Sequence, residues 1–124
     1  VRSIADIPTA HFMEFPAICQ SIEGALREEL GAEKFNYLSL MMVDPHFHFH
    51  VLPRYASSVR FMGRFFSDDH WPGPPEISCK ASITTEVFAQ LRRLLSASIS
   101  ERFLAATLED QAFSAVTDTK TCGI

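Results

Sequence analysis

Residues 46–52 read His-Phe-His-Phe-His-Val-Leu, so that histidines alternate one by one with apolar residues. A repeat of two is typical of a β-strand, because successive side chains on a strand point to opposite faces. One predicted face is apolar and suits a core. The other presents three imidazoles at about 7 Å between successive Cα atoms, which is poor core material. These histidines are His46, His48 and His50.

The sequence before this segment predicts a long helix. Apolar residues recur every three to four positions from Thr9 to Leu30, which places them on one helix face. Gly31 is a typical C-terminal stop, and Asp6 and Thr9 are candidate N-cap residues. Pro16 is expected to kink this helix or to move its start.

Two strands are predicted after the helix. They cover residues 35–43 and 46–54, and Asp44-Pro45 between them is typical of a tight turn. We therefore expect an antiparallel hairpin, and an α+β fold in which a small antiparallel sheet is flanked by helices.

The rest of the chain predicts an irregular segment followed by further helix. Residues 55–80 contain several glycines and prolines and show little periodicity. Helical spacing returns at Thr85 and continues in a second stretch through Leu108. We predict a single domain over residues 1–115 and a polar, frayed tail over residues 116–124.

Composition excludes several classes of function. The 124 residues are 47% apolar and 21% charged with a net charge of −4, so a globular domain is expected without the basic surface that binds nucleic acid. No apolar run approaches the ~18 residues of a membrane span. The three cysteines include no CxxC pair, which favours a reducing, cytoplasmic location. A small anionic ligand remains compatible with this composition.

Three interpretations of the histidine face compete. It is a solvated polar surface, a metal site, or a site for phosphoryl chemistry. Two histidines at i and i+2 on a strand can chelate zinc or copper, although no CxxC or HxxEH motif accompanies them. A neutral imidazole is also a good nucleophile and proton carrier near neutral pH. The spacing alone does not choose between metal and phosphoryl chemistry.

The motif resembles the signature of the histidine triad (HIT) family, in which three histidines alternate with apolar residues and two more apolar residues follow. Residues 46–52 fit it at all seven positions. The resemblance covers roughly residues 1–55, including the long helix and the strand before the motif. The Pro53-Arg54 pair resembles the dinucleotide-polyphosphate hydrolases of the family, and residues 68–75 resemble a segment that follows the triad in bacterial members.

The resemblance implies a HIT-like homodimer that cleaves a nucleoside α-phosphate from a leaving group, with a dinucleoside polyphosphate or a nucleoside phosphoramidate as substrate. It implies that His48 is the nucleophile and forms a nucleotidyl-histidine, that His50 hydrogen-bonds the α-phosphate, and that His46 supports the site. Asn36 lies near the position of a family asparagine that assists the site. Arg54 is either a phosphate ligand or a solvated surface residue. No metal is required for this chemistry, and Mg²⁺ would accompany a polyphosphate substrate.

The chain also departs from the family pattern. Residues 42–45 replace a stretch in which many members carry Gly-Gln and a serine or threonine that contacts phosphate. Asp44 is a candidate for orienting an imidazole, although an aspartate before proline more commonly forms a turn. The two strands and the fourth histidine that normally precede the long helix have no counterpart, so either a truncated or processed form is expected or another segment fills their role. The alternative functions are a metal-binding hydrolase that uses the three histidines and a non-catalytic nucleotide-binding module.

Overall fold

Helices and short strands make up the computed structural model, which describes residues 2–78 and 82–118. The helices are α1 (Thr9–Leu30), α2 (Thr85–Asp118) and a 3₁₀ helix (Ile4–Asp6) that precedes α1. The strands are β1 (Lys34–Leu38), β2 (His50–Arg54), β3 (Val59–Phe61) and β4 (Arg64–Phe66). In this part of the chain they form two antiparallel two-stranded sheets, β1–β2 and β3–β4. The predicted α+β class is confirmed.

The predicted long helix is confirmed with the same bounds, Thr9–Leu30. It ends as predicted at Gly31, whose φ of +66° is a left-handed conformation that glycine adopts without Cβ strain. The N–H of Gly31 donates to the main-chain oxygen of Arg27 at 2.9 Å, which satisfies one of the last helix carbonyls.

The start of α1 differs from the prediction. Pro8 occupies the N-cap position, and no side chain caps the helix there. The predicted N-cap role of Asp6 and Thr9 is wrong, because Asp6 belongs to the 3₁₀ helix and Thr9 is already helical. Pro16 lies inside α1 without moving its start, although proline supplies no N–H for the helix ladder at that position.

The strands β1 and β2 pair in antiparallel register from Lys34 opposite Arg54 to Leu38 opposite His50. Both are shorter than predicted, because the segments 39–43 and 46–49 lie outside the ladder. Pro45 has no N–H, and the N–H of His46 donates to Asp44 Oδ1 at 3.0 Å, so these donors are not available for strand pairing.

A second hairpin corrects the prediction that residues 55–80 are irregular throughout. The strands β3 and β4 pair around the two residues Met62 and Gly63, whose φ angles are +48° and +77°. Two-residue hairpin turns with both φ angles positive match the twist of the flanking strands. Met-Gly is not one of the usual dipeptides of this turn, and the sequence pattern therefore did not reveal it.

The helix α2 is continuous over 34 residues, where the sequence pattern predicted two helical stretches. Its first turn is capped by Thr84, whose Oγ1 accepts from the N–H of Val87 at 3.3 Å. It extends to Asp118, past the predicted domain end at residue 115, and residues 119–124 of the predicted tail lie outside the described residues.

The two helices pack against each other and form the centre of the molecule. Arg102 of α2 lies over Gly24 of α1, and a Cβ at Gly24 would be 2.8 Å from Nη1 at the end of this flexible side chain. Arg102 in turn forms an ion pair with Glu28 of α1. The buried apolar side chains are small or medium in size: Ala25, Leu26, Ala32 and Val87.

Two features of the chain bear on the expected location. No helix in the described part of the chain combines the length and the apolar character needed to cross a membrane. Cys79 and Cys122, on which the expected reducing compartment partly depends, lie outside the described residues.

Candidate active site

The three histidines lie where the loop after β1 enters β2. His50 is the first residue of β2, whereas His46 and His48 precede it in the loop. The rings of His48 and His50 are in contact, with centroids 4.9 Å apart and planes at 76°. The structure therefore brings these two imidazoles together, and His46 contacts the pair through its main chain.

The hydrogen bonds of His48 determine which of its ring nitrogens holds a lone pair. Its Nδ1 lies 2.6 Å from the main-chain oxygen of His46. A carbonyl oxygen only accepts hydrogen bonds, so this contact requires a proton on Nδ1. In the neutral ring the lone pair is then on Nε2, the nitrogen that faces away from the main chain.

The same proton assignment determines the direction of the hydrogen bond between His48 and His50. Their Nε2 atoms are 3.1 Å apart. With the lone pair on His48 Nε2, the bond requires a proton on His50 Nε2, so His50 is the donor. The pair therefore places an N–H donor directly beside the nitrogen of His48 that carries the lone pair.

His46 is held by a single carboxylate oxygen. Asp44 Oδ1 accepts from the main-chain N–H of His46 at 3.0 Å and contacts Nδ1 of the same residue at 3.0 Å. The pKa of Asp44 is lowered, first by the hydrogen bond from this N–H and then by that from the imidazole. The same oxygen of Asp44 therefore both forms the turn before His46 and orients the His46 ring.

The phenylalanines of the motif point to the opposite side from the histidine pair. The Phe47 and Phe49 rings are 5.0 Å apart, and Phe49 lies 5.4 Å from Phe15 of α1 and 6.2 Å from Tyr37 of β1, measured between centroids. These contacts attach the histidine segment to α1 and β1. The prediction that His46, His48 and His50 share the face of one strand is wrong for His46 and His48, which precede β2, although the rings of His48 and His50 do lie together.

An open aromatic cavity lies on the apolar side of the motif, and the sequence pattern did not reveal it. Its volume of about 420 Å³ falls within the size range of small-molecule pockets. The aromatic residues of α1 fit the helical repeat and were predicted as core, which hid this arrangement. The lining consists of Ile7, Pro8, His11, Phe12, Phe15, Phe47 and Phe49.

Asn36 and Arg54, the two predicted ligand-binding residues, are bonded to each other. Arg54 Nη1 donates to Asn36 Oδ1 at 2.8 Å across the β1–β2 pair. Its Nε and Nη2 donate to the two carboxylate oxygens of Asp68 at 2.5 and 3.2 Å, and Nη2 also donates to the Gly73 oxygen at 2.9 Å. With 6% of its surface exposed, Arg54 joins the end of β2 to the segment 67–75.

The surroundings of Arg54 do not favour the expected phosphate contact. Four of its hydrogen bonds go to protein acceptors, and the hydrogen bond from Arg54 lowers the pKa of Asp68. The adjoining cavity of about 280 Å³ is lined by three carboxylates, which repel a polyphosphate. We interpret Arg54 as a structural residue and Asn36 as one of its acceptors. The three carboxylates are those of Asp68, Asp69 and Glu76.

Within residues 2–78 and 82–118, no group of three or more histidine, cysteine, aspartate or glutamate side chains is arranged to hold a metal ion. The side chains of His46, His48 and His50 therefore do not form a ready three-ligand site. The predicted His pair at i and i+2 is held ring to ring by a nitrogen–nitrogen contact of 3.1 Å.

Comparison with known proteins adds no family assignment. No protein-family model matches the chain, and no curated protein matches it either. The resemblance to the histidine triad family therefore depends on the seven-residue motif.

Proposed function

We propose that this chain is a histidine triad nucleotide hydrolase or nucleotidyl transferase that acts on a nucleoside α-phosphate. The proposed substrates are dinucleoside polyphosphates or nucleoside phosphoramidates. The observation that supports the proposal is the bonding of His48, whose Nδ1 donates to the His46 oxygen at 2.6 Å and leaves the lone pair on Nε2. His48 is half-buried and its partner His50 is exposed, so a substrate can reach this pair from solvent.

The proposed chemistry has two displacements at phosphorus. In the first, the substrate displaces the hydrogen bond between the two rings, and the N–H of His50 turns from His48 Nε2 to a phosphate oxygen. The freed lone pair of His48 Nε2 forms a bond to the α-phosphorus, and the bond to the leaving group breaks. The leaving group takes the bonding electrons and a proton from solvent. In the second, water or another acceptor attacks the phosphorus, loses a proton, and releases His48 with its lone pair restored. His50 donates to a phosphate oxygen while charge develops.

The chemistry of these steps needs no bound metal, and we propose that Mg²⁺ accompanies only the polyphosphate substrate. A three-histidine metal site receives no support from the described side chains. A homodimer and a cytoplasmic location belong to the same proposal, by analogy with the family. A non-catalytic nucleotide-binding module remains the competing hypothesis, which the next experiment separates.

The test is to trap the intermediate. The chain is incubated with diadenosine tetraphosphate or adenosine phosphoramidate labelled at the α-phosphate, quenched in base, and examined for a label that acid releases. We expect label on the wild type and on His70→Ala, a loop histidine away from the triad, and none on His48→Ala. Nucleotide binding with neither label nor turnover in the wild type would favour the non-catalytic module. Turnover that a chelator abolishes with the phosphoramidate, which carries no Mg²⁺-binding polyphosphate, would favour the metal hydrolase.

A further inference from the structure

We propose that Asp44 is a positioning residue for the nucleophile, because it holds His46 in the conformation whose main-chain oxygen fixes the ring of His48. The inference rests on the proposed function of His48 and extends it to a residue outside the seven-position motif. It assigns to Asp44 a role beyond that of a turn former.

The first step is the contact between Asp44 and His46. One oxygen, Asp44 Oδ1, bonds both the main-chain N–H and the ring Nδ1 of His46, each at 3.0 Å. Two bonds to one residue restrict both its backbone and its ring. Pro45 between them has a fixed φ, which limits the conformations in which the carboxylate can reach His46.

The second step is that packing does not hold the side chains of the turn before His46 or that of His46 itself. The side chains of Asp44 and His46 are 61% and 76% exposed. Met42 and Val43, just before the turn, are 98% and 99% exposed. The hydrogen bonds of Asp44 therefore fix the N–H and the ring of His46, next to the packed ring of Phe47.

The third step connects His46 to the attacking nitrogen. The oxygen of His46 accepts from His48 Nδ1 at 2.6 Å, and Ser39 Oγ donates to the main-chain oxygen of His48 at 3.1 Å. The main chain of His48 is thus attached to Ser39, directly after β1, while the orientation of its ring depends on the position of the His46 oxygen. If that oxygen moves, Nδ1 loses its acceptor, and the lone pair is no longer confined to Nε2.

The experiment compares Asp44→Ala with Asp44→Asn by nitrogen NMR of histidine-labelled protein, with the His48 signals assigned by their loss in His48→Asn. We expect the wild type to show His48 protonated at Nδ1. Asp44→Ala should show a mixture of both tautomers and a fall in kcat of about tenfold, the equivalent of one ordinary hydrogen bond, with little change in KM. Asp44→Asn keeps an oxygen acceptor and should restore the Nδ1 tautomer, with about a threefold loss of kcat.

The matched control is Glu76→Ala. Glu76 is an exposed carboxylate that also accepts from the N–H two residues ahead, that of Ser78, at 2.7 Å. It should leave the His48 tautomer unchanged. A wild-type tautomer in Asp44→Ala would overturn the proposal, and so would an equal loss of the Nδ1 tautomer in Asp44→Asn. The NMR measurement does not depend on turnover, so an inactive wild type with the expected tautomers would refute the proposed function and not the positioning role.

Discussion

The Nδ1 atom of His48 lies 2.6 Å from the main-chain oxygen of His46, a residue two positions earlier in the chain. This bond exists because residues 46–49 are outside the β1–β2 ladder, which begins only at His50. In a paired antiparallel strand, alternate main-chain oxygens bond to the neighbouring strand. The shorter strand thus leaves a main-chain acceptor available to the imidazole.

His50→Ala is predicted to lower kcat by about 10²-fold, because a hydrogen-bond donor aimed at developing charge contributes an effect of this order. The Nε2 of His50 is 3.1 Å from Nε2 of His48 and is the donor in that contact. Steady-state hydrolysis of diadenosine tetraphosphate measures the loss. His50→Gln, which keeps an N–H donor, should retain more activity than His50→Ala. Equal activity of the two variants would contradict a donor role for His50.

Arg54→Met is predicted to reduce the free energy of unfolding by roughly 3 kcal/mol, because it removes the partner of a desolvated carboxylate. The side chains of Arg54 and Asp68 are 8% and 13% exposed. The matched comparison is Arg27→Met, in an exposed i,i+4 pair with Glu23 at 2.9 Å, where we expect a change below about 0.5 kcal/mol. Urea denaturation followed by circular dichroism gives both values.

The Arg54 variant also tests the assignment of this residue as structural. If Arg54→Met leaves stability unchanged and instead raises KM for a polyphosphate substrate, the guanidinium is a phosphate ligand, as the resemblance implied. If stability falls and KM is unchanged in the remaining folded protein, the result supports a structural role for Arg54 through its hydrogen bonds to Asp68 and Asn36.

The stabilising effect of Asp68 is predicted to depend on pH. Arg54 lowers the pKa of Asp68 in the folded protein, so the folded state binds this proton less tightly than the unfolded state does. Its contribution is complete above the unfolded pKa of about 3.9 and is lost as pH falls through the folded pKa. The difference in unfolding free energy between wild type and Asp68→Asn should therefore be constant from about pH 5 to 7 and shrink below about pH 4.

Urea titrations at each pH measure this difference. Asp69→Asn is the control, because Asp69 is exposed and accepts from Ser67 at 2.6 Å without contacting an arginine. It should differ little from the wild type across the range. If the difference in unfolding free energy between wild type and Asp68→Asn grows as the pH falls, the ion pair with Arg54 is not the cause of the stabilisation by Asp68.

Local sequence signals predicted α1 and its C-cap correctly because a regular apolar repeat and a glycine with positive φ act within one element. The ends of β1 and β2 were not predictable in the same way. Their pairing stops at Leu38 and His50, and in the loop beyond them the N–H of His46 bonds to the side chain of Asp44, a competition with strand pairing that an alternation pattern does not show. The β3–β4 hairpin was missed because its turn uses Met62 in a positive-φ position that the residue type rarely adopts.

The candidate site, too, was predicted only in part from the sequence pattern. The alternation correctly predicted that His48 and His50 share a side opposite Phe47 and Phe49. It did not predict that the main chain of His46, and not its ring, contacts the ring of His48. Nor could spacing show that Arg54 is neutralised by Asp68, because the two residues are 14 positions apart and meet only through the fold.

The two tyrosines of the chain are predicted to stay protonated well above the ordinary tyrosine pKa of about 10. Burial raises the pKa of Tyr55 to about 12, and burial together with hydrogen bonds to Cys19 and Glu23 raises that of Tyr37. Absorbance at the tyrosinate band should therefore be absent from the folded protein at about pH 10.5 and appear in urea. Because the unfolded state releases these protons first, stability should fall as pH rises from about 10 towards 12. Tyrosinate in the folded wild type near pH 10 that disappears in Tyr55→Phe would contradict the buried position of Tyr55.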